Sequence, residues 1–363
     1  MAVPSPCSVQ DPQEIDSGPQ GTPHGKPFLF SHLRGVWKAE ADKFASRVWT
    51  DIHGNSHAIV NPGGSPRVML AGHYDEIGFQ ISYIDDKGFL WIQPLGGWDP
   101  QIAQGQRVQI MTGKGMVRGV IGKLAIHLQD PDARKKVSEV KDLWVDIGAK
   151  DKKDAEKMVE VGDPLVVAYG FEEMANGLAA GRAFDDRAGA FVVLEAARQL
   201  SKLNPAAEVH AVATVQEEIG LRGATTAAYG IDPHIGIAVD VTFATDHPNM
   251  ADAMKRENLI ELGKGPVLTR GPNINSRLFD LLLKTAKKEK IPYQINAEPR
   301  GSGTDANAIQ LNRAGVVTGL ISIPLRYMHS PCELISLKDL DHCVTLLAKS
   351  VAGITDRTNF VPF

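Results

Sequence analysis

The sequence predicts an α/β protein: a mostly parallel sheet with helices on both faces, interrupted by a β-rich, barrel-like inserted domain. Three observations carry that prediction. Helix-like stretches alternate with short apolar strands at both ends of the chain, the pattern of a sheet covered on both faces. Between residues 79 and 179 the texture changes to short alternating or β-branched runs separated by glycine turns, which argue for a small barrel or sandwich. The apolar strands of the outer parts end, one after another, in histidines and acids.

Taken in order, residues 1–27 include SGPQGTPHGKP and show no sustained periodicity, so they read as an irregular N-terminal arm. HLRGVWKAEADKFASRV then reads as helix, DIHGN as a turn, and RVMLAG as a strand ending at His73, Tyr74 and Asp75. The insertion supplies FQISYI, FLWIQPL, QRVQIM, MVRGVIGKL, DLWVDIGA and DPLVVAYGF, with one short helix at DKKDAEKMV. From residue 180 onward the helix DRAGAFVVLEAARQL, the strands EVHAVATV and HIGIAVDV, the helix NSRLFDLLLKTAKKEK and the strand GVVTGLISI complete the pattern. Residues 28–78 and 180–363 thus form one α/β domain, and 79–179 the insertion.

The 363 residues are 43% hydrophobic and 23% charged, as in ordinary globular proteins. A net charge of -4 and the lack of basic blocks argue against a nucleic-acid or membrane partner. Cys7, Cys332 and Cys343 make no CxxC pair, and MAVPSPCSVQDPQEID has no apolar signal core. Both point to a reducing, cytoplasmic setting.

Ligands of open α/β sheets bind beyond the carboxyl ends of the strands. There VMLAG leads to His73 and Asp75, HAVATVQ to Glu217 and Glu218, GIAV to Asp240, and GLISIPLRYM to His329. Asp185 stands just before a helix start in AGRAFDDRAGA. Singly, each has an ordinary explanation: a helix cap, a buried histidine, a turn aspartate or a solvated helix start. Jointly they suit two divalent cations about 3.5–4 Å apart, which need a bridging carboxylate and nitrogen and oxygen ligands around it. Asp75, two residues from His73 on an extended segment, can accept the ring N–H of a ligating histidine or serve as a plain turn residue.

The pieces GHYDEIGF, AFDDRAG, VQEEIGLRGA, AVDVTFATDHP, PRGSGTDAN and YMHSPCE, in this order, resemble the tetrahedral aminopeptidases, glutamyl and deblocking enzymes with two co-catalytic metals. The resemblance covers about residues 40–350. It implies a zinc-peptidase type of fold with the insertion used in subunit contacts, peptide substrates and a homo-oligomer, often a dodecamer built from dimers. It implies that His73 and Asp240 bind one metal, Glu218 and His329 the other, that Asp185 bridges them, and that Glu217 is the general base with Asp75 the partner of His73. Zinc, cobalt and manganese all suit such ligands. It further implies a cis peptide between Asp185 and Asp186. The family's N-terminal helix has no counterpart before PSPCS, and residues 9–26 match nothing in the family.

Two glycine-rich loops, Gly271–Asn275 and Gly301–Asn307, read either as connecting turns or as walls of a substrate pocket, with Gly303, Thr304 and Asp305 as contacts. GKGMVRG lacks the spacing of a phosphate loop. His53, His57 and His247 read as surface residues. Two other functions compete: glycoside hydrolysis, which needs two carboxylates and usually no metal, and a non-catalytic metal- or peptide-binding role.

Overall fold

The structure, a computed structural model, describes residues 31–362. The expected arm at 1–27 lies outside them. A helix, Ser31–Ala41, leads into the hairpin β1 (Arg47–Thr50) and β2 (Ser56–Val60), then β3 (Arg67–His73). The predicted first helix is therefore too long. Val48, Trp49 and Thr50, β-branched or aromatic, pair with Ala58, His57 and Ser56 instead of continuing it.

The strands β4 (Gly78–Ile84), β5 (Leu90–Leu95), β6 (Arg107–Thr112), β7 (Gly115–Gly122), β8 (Trp144–Asp146) and β9 (Pro164–Val167) close a barrel in the order β4-β5-β8-β7-β6-β9. Phe79, Ile81, Leu90, Ile110, Val145 and Leu165 fill its own core. The short helix Lys152–Met158 falls where the sequence places one.

The chain then returns to the large sheet through β10 (Glu172–Glu173), β11 (Leu178–Gly181), β12 (Glu208–Thr214), β13 (Ile235–Phe243), β14 (Val267–Arg270), β15 (Gln294–Ala297), β16 (Val317–Arg326) and β17 (Glu333–Ser336). The order is β1-β2-β12-β3-β13-β16-β17-β11-β10, with β14 against β16 and β15 beyond it. The expected parallel character belongs to the four central strands, β12, β3, β13 and β16. Antiparallel pairings extend the sheet on both sides, except that β15 lies parallel to β14.

Alternation along β3 explains its unbroken apolar run. Val68 and Leu70 face the core under the helices Phe184–Leu203 and Leu337–Ala352, while Met69 and Ala71 face the opposite core with the helix Arg222–Ile231. Val68, Met69 and Leu70 are fully buried, and each contributes about 1.5–3 kcal/mol, so the strand that ends in His73 is a rigid platform. The β3–β13 ladder stops at Ala71 and Ala238, two residues short of His73 and Asp240. Strand order also reverses at β3, whose neighbours are β12 and β13, so a crevice opens there at the carboxyl edge. Among the described residues no helix is long and apolar enough to cross a membrane.

Candidate functional site

Close backbone approaches and buried hydrogen bonds bring the predicted residues to this crevice. At the end of β3, His73 is 2% exposed, and its main-chain N–H donates to Asp186 Oδ2 at 3.1 Å. Gly72 makes this approach possible: a Cβ there would lie 2.6 Å from the main chain of Gly189, so the helix start carrying Asp185 and Asp186 sits directly on the strand. Asp186 also accepts from the N–H of Gly189 at 3.0 Å. The Asp185–Asp186 peptide is cis, as the resemblance implied.

Past β12 the backbone turns sharply at Gln216 (φ 59°) to present Glu217 and Glu218. Asn55 closes the base of that loop, accepting from the N–H of Val215 at 3.1 Å and donating to the carbonyl of Gly223 at 3.1 Å. Asp75 holds its tip, its two carboxylate oxygens accepting from the N–H groups of Glu217 (3.2 Å) and Glu218 (3.3 Å). Asp75 also meets the His73 ring, whose Nδ1 lies 3.5 Å from its carboxylate and 3.1 Å from its main-chain carbonyl.

Asp185 occupies the middle. Its Oδ1 is 3.2 Å from His73 Nε2 and its Oδ2 is 3.3 Å from His329 Nε2. Glu218 Oε2 stands 3.5 Å from His329 Nε2, and Glu217 Oε2 stands 3.7 Å from His73 Nε2. Potential ligand atoms of His73, Asp185 and Glu218 all lie within 4.8 Å of one another, as do those of His73, Glu217 and Asp240. Glu217 thus sits close enough to act on a cation as well as on a proton.

Sequence reasoning overlooked two supports. Glu333, 2% exposed, accepts from the N–H of Asp185 at 3.0 Å and from that of His329 at 3.1 Å. It lies in the same YMHSPCE piece as His329, yet nothing in the spacing marks it. The carbonyl of Gly97, in the loop after β5, lies 2.8 Å from His329 Nδ1. Of the loop thought to touch substrate, Gly303 is exposed and Thr304 caps the helix Asp305–Gln310. Asp305 is 2% exposed with Oδ2 accepting from Thr214 at 2.5 Å, which sets it against the strand ends and away from any open surface. His57, read as a surface residue, is 3% exposed: it pairs with Asp51 at 3.0 Å and stacks on Trp49.

The electrostatics call for added positive charge. Burial disfavours ionisation of Asp185, but hydrogen bonds from His329 and His73 outweigh it and hold the carboxyl at about 2. The same hydrogen bond to Asp185 lifts His329 to about 9. Burial, reinforced by neighbouring acids, pushes Glu217 and Glu218 each to about 8 and Asp240 well above its usual range. Buried Glu218 Oε1 has no hydrogen-bond partner. Two imidazoles, four acids and an unsatisfied carboxylate oxygen form a donor set that divalent cations fit.

Comparison with known proteins places the chain among relatives. The M42 glutamyl aminopeptidase model matches residues 54–346. A lysyl aminopeptidase of Pyrococcus furiosus is 41% identical over 303 residues, which cover 83% of this chain and 85% of the relative. The crystal structure of a TET aminopeptidase from a marine sediment thaumarchaeon superposes with a TM-score of 0.84 at 39% identity, covering 90% of this chain and 92% of the other. A TET peptidase of Pyrococcus horikoshii that can assemble into a tetrahedron or a large octahedral shell gives 0.79 at 30% identity, covering 89% and 94%.

Proposed function

The chain belongs to the M42 glutamyl aminopeptidase family, and from that premise we propose that it removes N-terminal residues from peptides with two divalent cations. The observation that carries the proposal is the placing of Asp185, whose two oxygens each face a different histidine. His73 and Asp240 would hold one cation, His329 and Glu218 the other, and Asp185 both. Zinc and cobalt suit this mixed nitrogen and oxygen set, and manganese is also compatible. Such ions lower the pKa of water and polarise a carbonyl.

The chain's own residues supply the rest. Glu217 takes a proton from the attacking water at the carboxylate that faces His73, then delivers it to the leaving amine. Asp75 keeps Glu217 and its neighbour in place through their main-chain amides. A free α-amine docking among these carboxylates limits cutting to N-termini. The loop at Gly303 and Thr304 is the place for the first side chain.

The TET relatives support a homo-oligomer, with a dodecamer built from dimers through the inserted barrel as the form to look for. The free thiols of Cys332 and Cys343 agree with a cytoplasmic setting. The test strips metal from the purified protein and restores zinc, cobalt or manganese while assaying a panel of aminoacyl anilides. Loss on chelation and recovery on restoration are expected. Metal-independent cleavage of oligosaccharides would favour the glycosidase instead, though such an enzyme has no use for two histidines converging on one aspartate. Metal uptake with no hydrolysis of any substrate would leave a binding protein.

A further inference from the structure

Resting on the two-cation reading, we infer that Glu333 is a positioning residue that assembles the His329 half of the cluster. One buried carboxylate fixes the main chain of two ligands from distant parts of the sequence. Its Oε2 accepts from the N–H of Asp185 and its Oε1 from that of His329. Neither amide can find its partner in a sheet ladder. Asp185 (φ -79°, ψ 104°) departs from helical geometry at the irregular start of its helix, and His329 has left-handed backbone (φ 60°) three residues beyond the end of β16. Buried N–H groups need an acceptor, and Glu333 serves both.

Glu333 can meet both because of where it is anchored. It opens β17, where its main chain pairs with Gly181, four residues before Asp185. Both of its oxygens are engaged by amides, so it acts through the ligands and not as one of them. The other histidine has a separate brace, since the N–H of His73 rests on Asp186. Loss of the Glu333 carboxylate therefore loosens His329 and also Asp185, which faces both histidines. His73 keeps its own brace on Asp186, so the His329 side is disturbed more than the His73 side. Glutamine at this position keeps one acceptor and turns an NH2 toward the second amide, so one of the two contacts becomes repulsive.

The experiment is calorimetric titration of zinc into the metal-stripped full-length protein, with Glu333→Gln and Glu333→Asp alongside, and circular dichroism to verify folding. The wild type is expected to take up two equivalents. Glu333→Gln should weaken one equivalent by about 10–100-fold, the usual cost of losing a partner that orients a ligand, and the other by less. Glu333→Asp keeps both acceptor oxygens and should fall between. Wild-type affinity at both sites in Glu333→Gln, or equal weakening of both, overturns the inference while leaving the two-cation reading intact. If Glu333→Gln does not fold, Glu333→Asp decides: weakening of one equivalent by more than the other supports the inference, and an equal effect on both, or none, overturns it. Fewer than two equivalents in the wild type overturns the two-cation reading and this inference with it.

Discussion

The two halves of the candidate cluster are built differently. His73 ends a central parallel strand, is 2% exposed, and turns its Nδ1 to a carbonyl only two residues away. His329 lies past the end of β16 in left-handed backbone, its side chain 34% exposed, with Nδ1 on Gly97 from the loop after β5 of the barrel. The first half is made by local sequence on a rigid sheet. The second is made by contacts between segments far apart in the chain, and this difference says which half should yield first when the molecule is perturbed.

The largest expected effect tests what the halves share. Replacing Glu217 with Gln should lower turnover by about 10²–10⁴-fold, the usual worth of a general acid–base group, with both metals retained in elemental analysis. A variant that stays active ends its assignment as the base.

Next come the two histidines. His73→Ala should lose the cation assigned to His73 and Asp240 and, because His73 also stands near Asp185 and Glu218, weaken the other. His329→Ala should leave one equivalent bound. Loss of both equivalents in either variant would mean that the halves are not separable in the way the geometry indicates.

The dependence on pH follows from the shifted groups. In the metal-free protein His329 is raised to about 9, so its contribution to stability is full below the unfolded value near 6.5 and is lost as pH rises through 9. Glu217 and Glu218, raised to about 8, bind more protons folded than unfolded between roughly pH 4.5 and 8, and so also lower stability as pH rises. The melting temperature of metal-free protein should therefore fall from pH 5 to 9. Saturating zinc, which displaces these protons, should flatten that decline. A melting temperature that rises with pH in the absence of metal would contradict the direction of these shifts.

The smallest effect concerns the barrel's hold on His329. A Cβ on Gly97 would lie 3.1 Å from His329 Nδ1, so Gly97→Ala should push the half-exposed ring aside and weaken one zinc equivalent, by less than the roughly 10-fold lower bound for losing an orienting partner. Unchanged calorimetric titration would show that the barrel contact is dispensable.

The same contrast explains what the sequence made legible. His73, Glu217, Glu218 and Asp240 were readable because strand ends in a parallel sheet share one edge, and apolar runs locate those ends. The bridging role of Asp185 and the cis bond that follows it came from the family resemblance, since a helix cap explains an aspartate there equally well. Glu333 and Gly97 were not readable: one acts by accepting amides, the other through a carbonyl, and neither leaves a trace in periodicity. The hairpin around Asn55 was taken for a helix tail and a turn, because two short strands that pair with each other carry little pattern of their own. His57 was misplaced for the same reason, since its burial depends on β12 lying against β2.

The most direct measurement is a crystal structure of zinc-soaked protein, with data collected on both sides of the zinc absorption edge. Two anomalous peaks about 3.5–4 Å apart are expected, one touching His73 and Asp240, the other His329 and Glu218, with Asp185 in contact with both. A single peak, or a pair that Asp185 does not join, would contradict the two-cation centre.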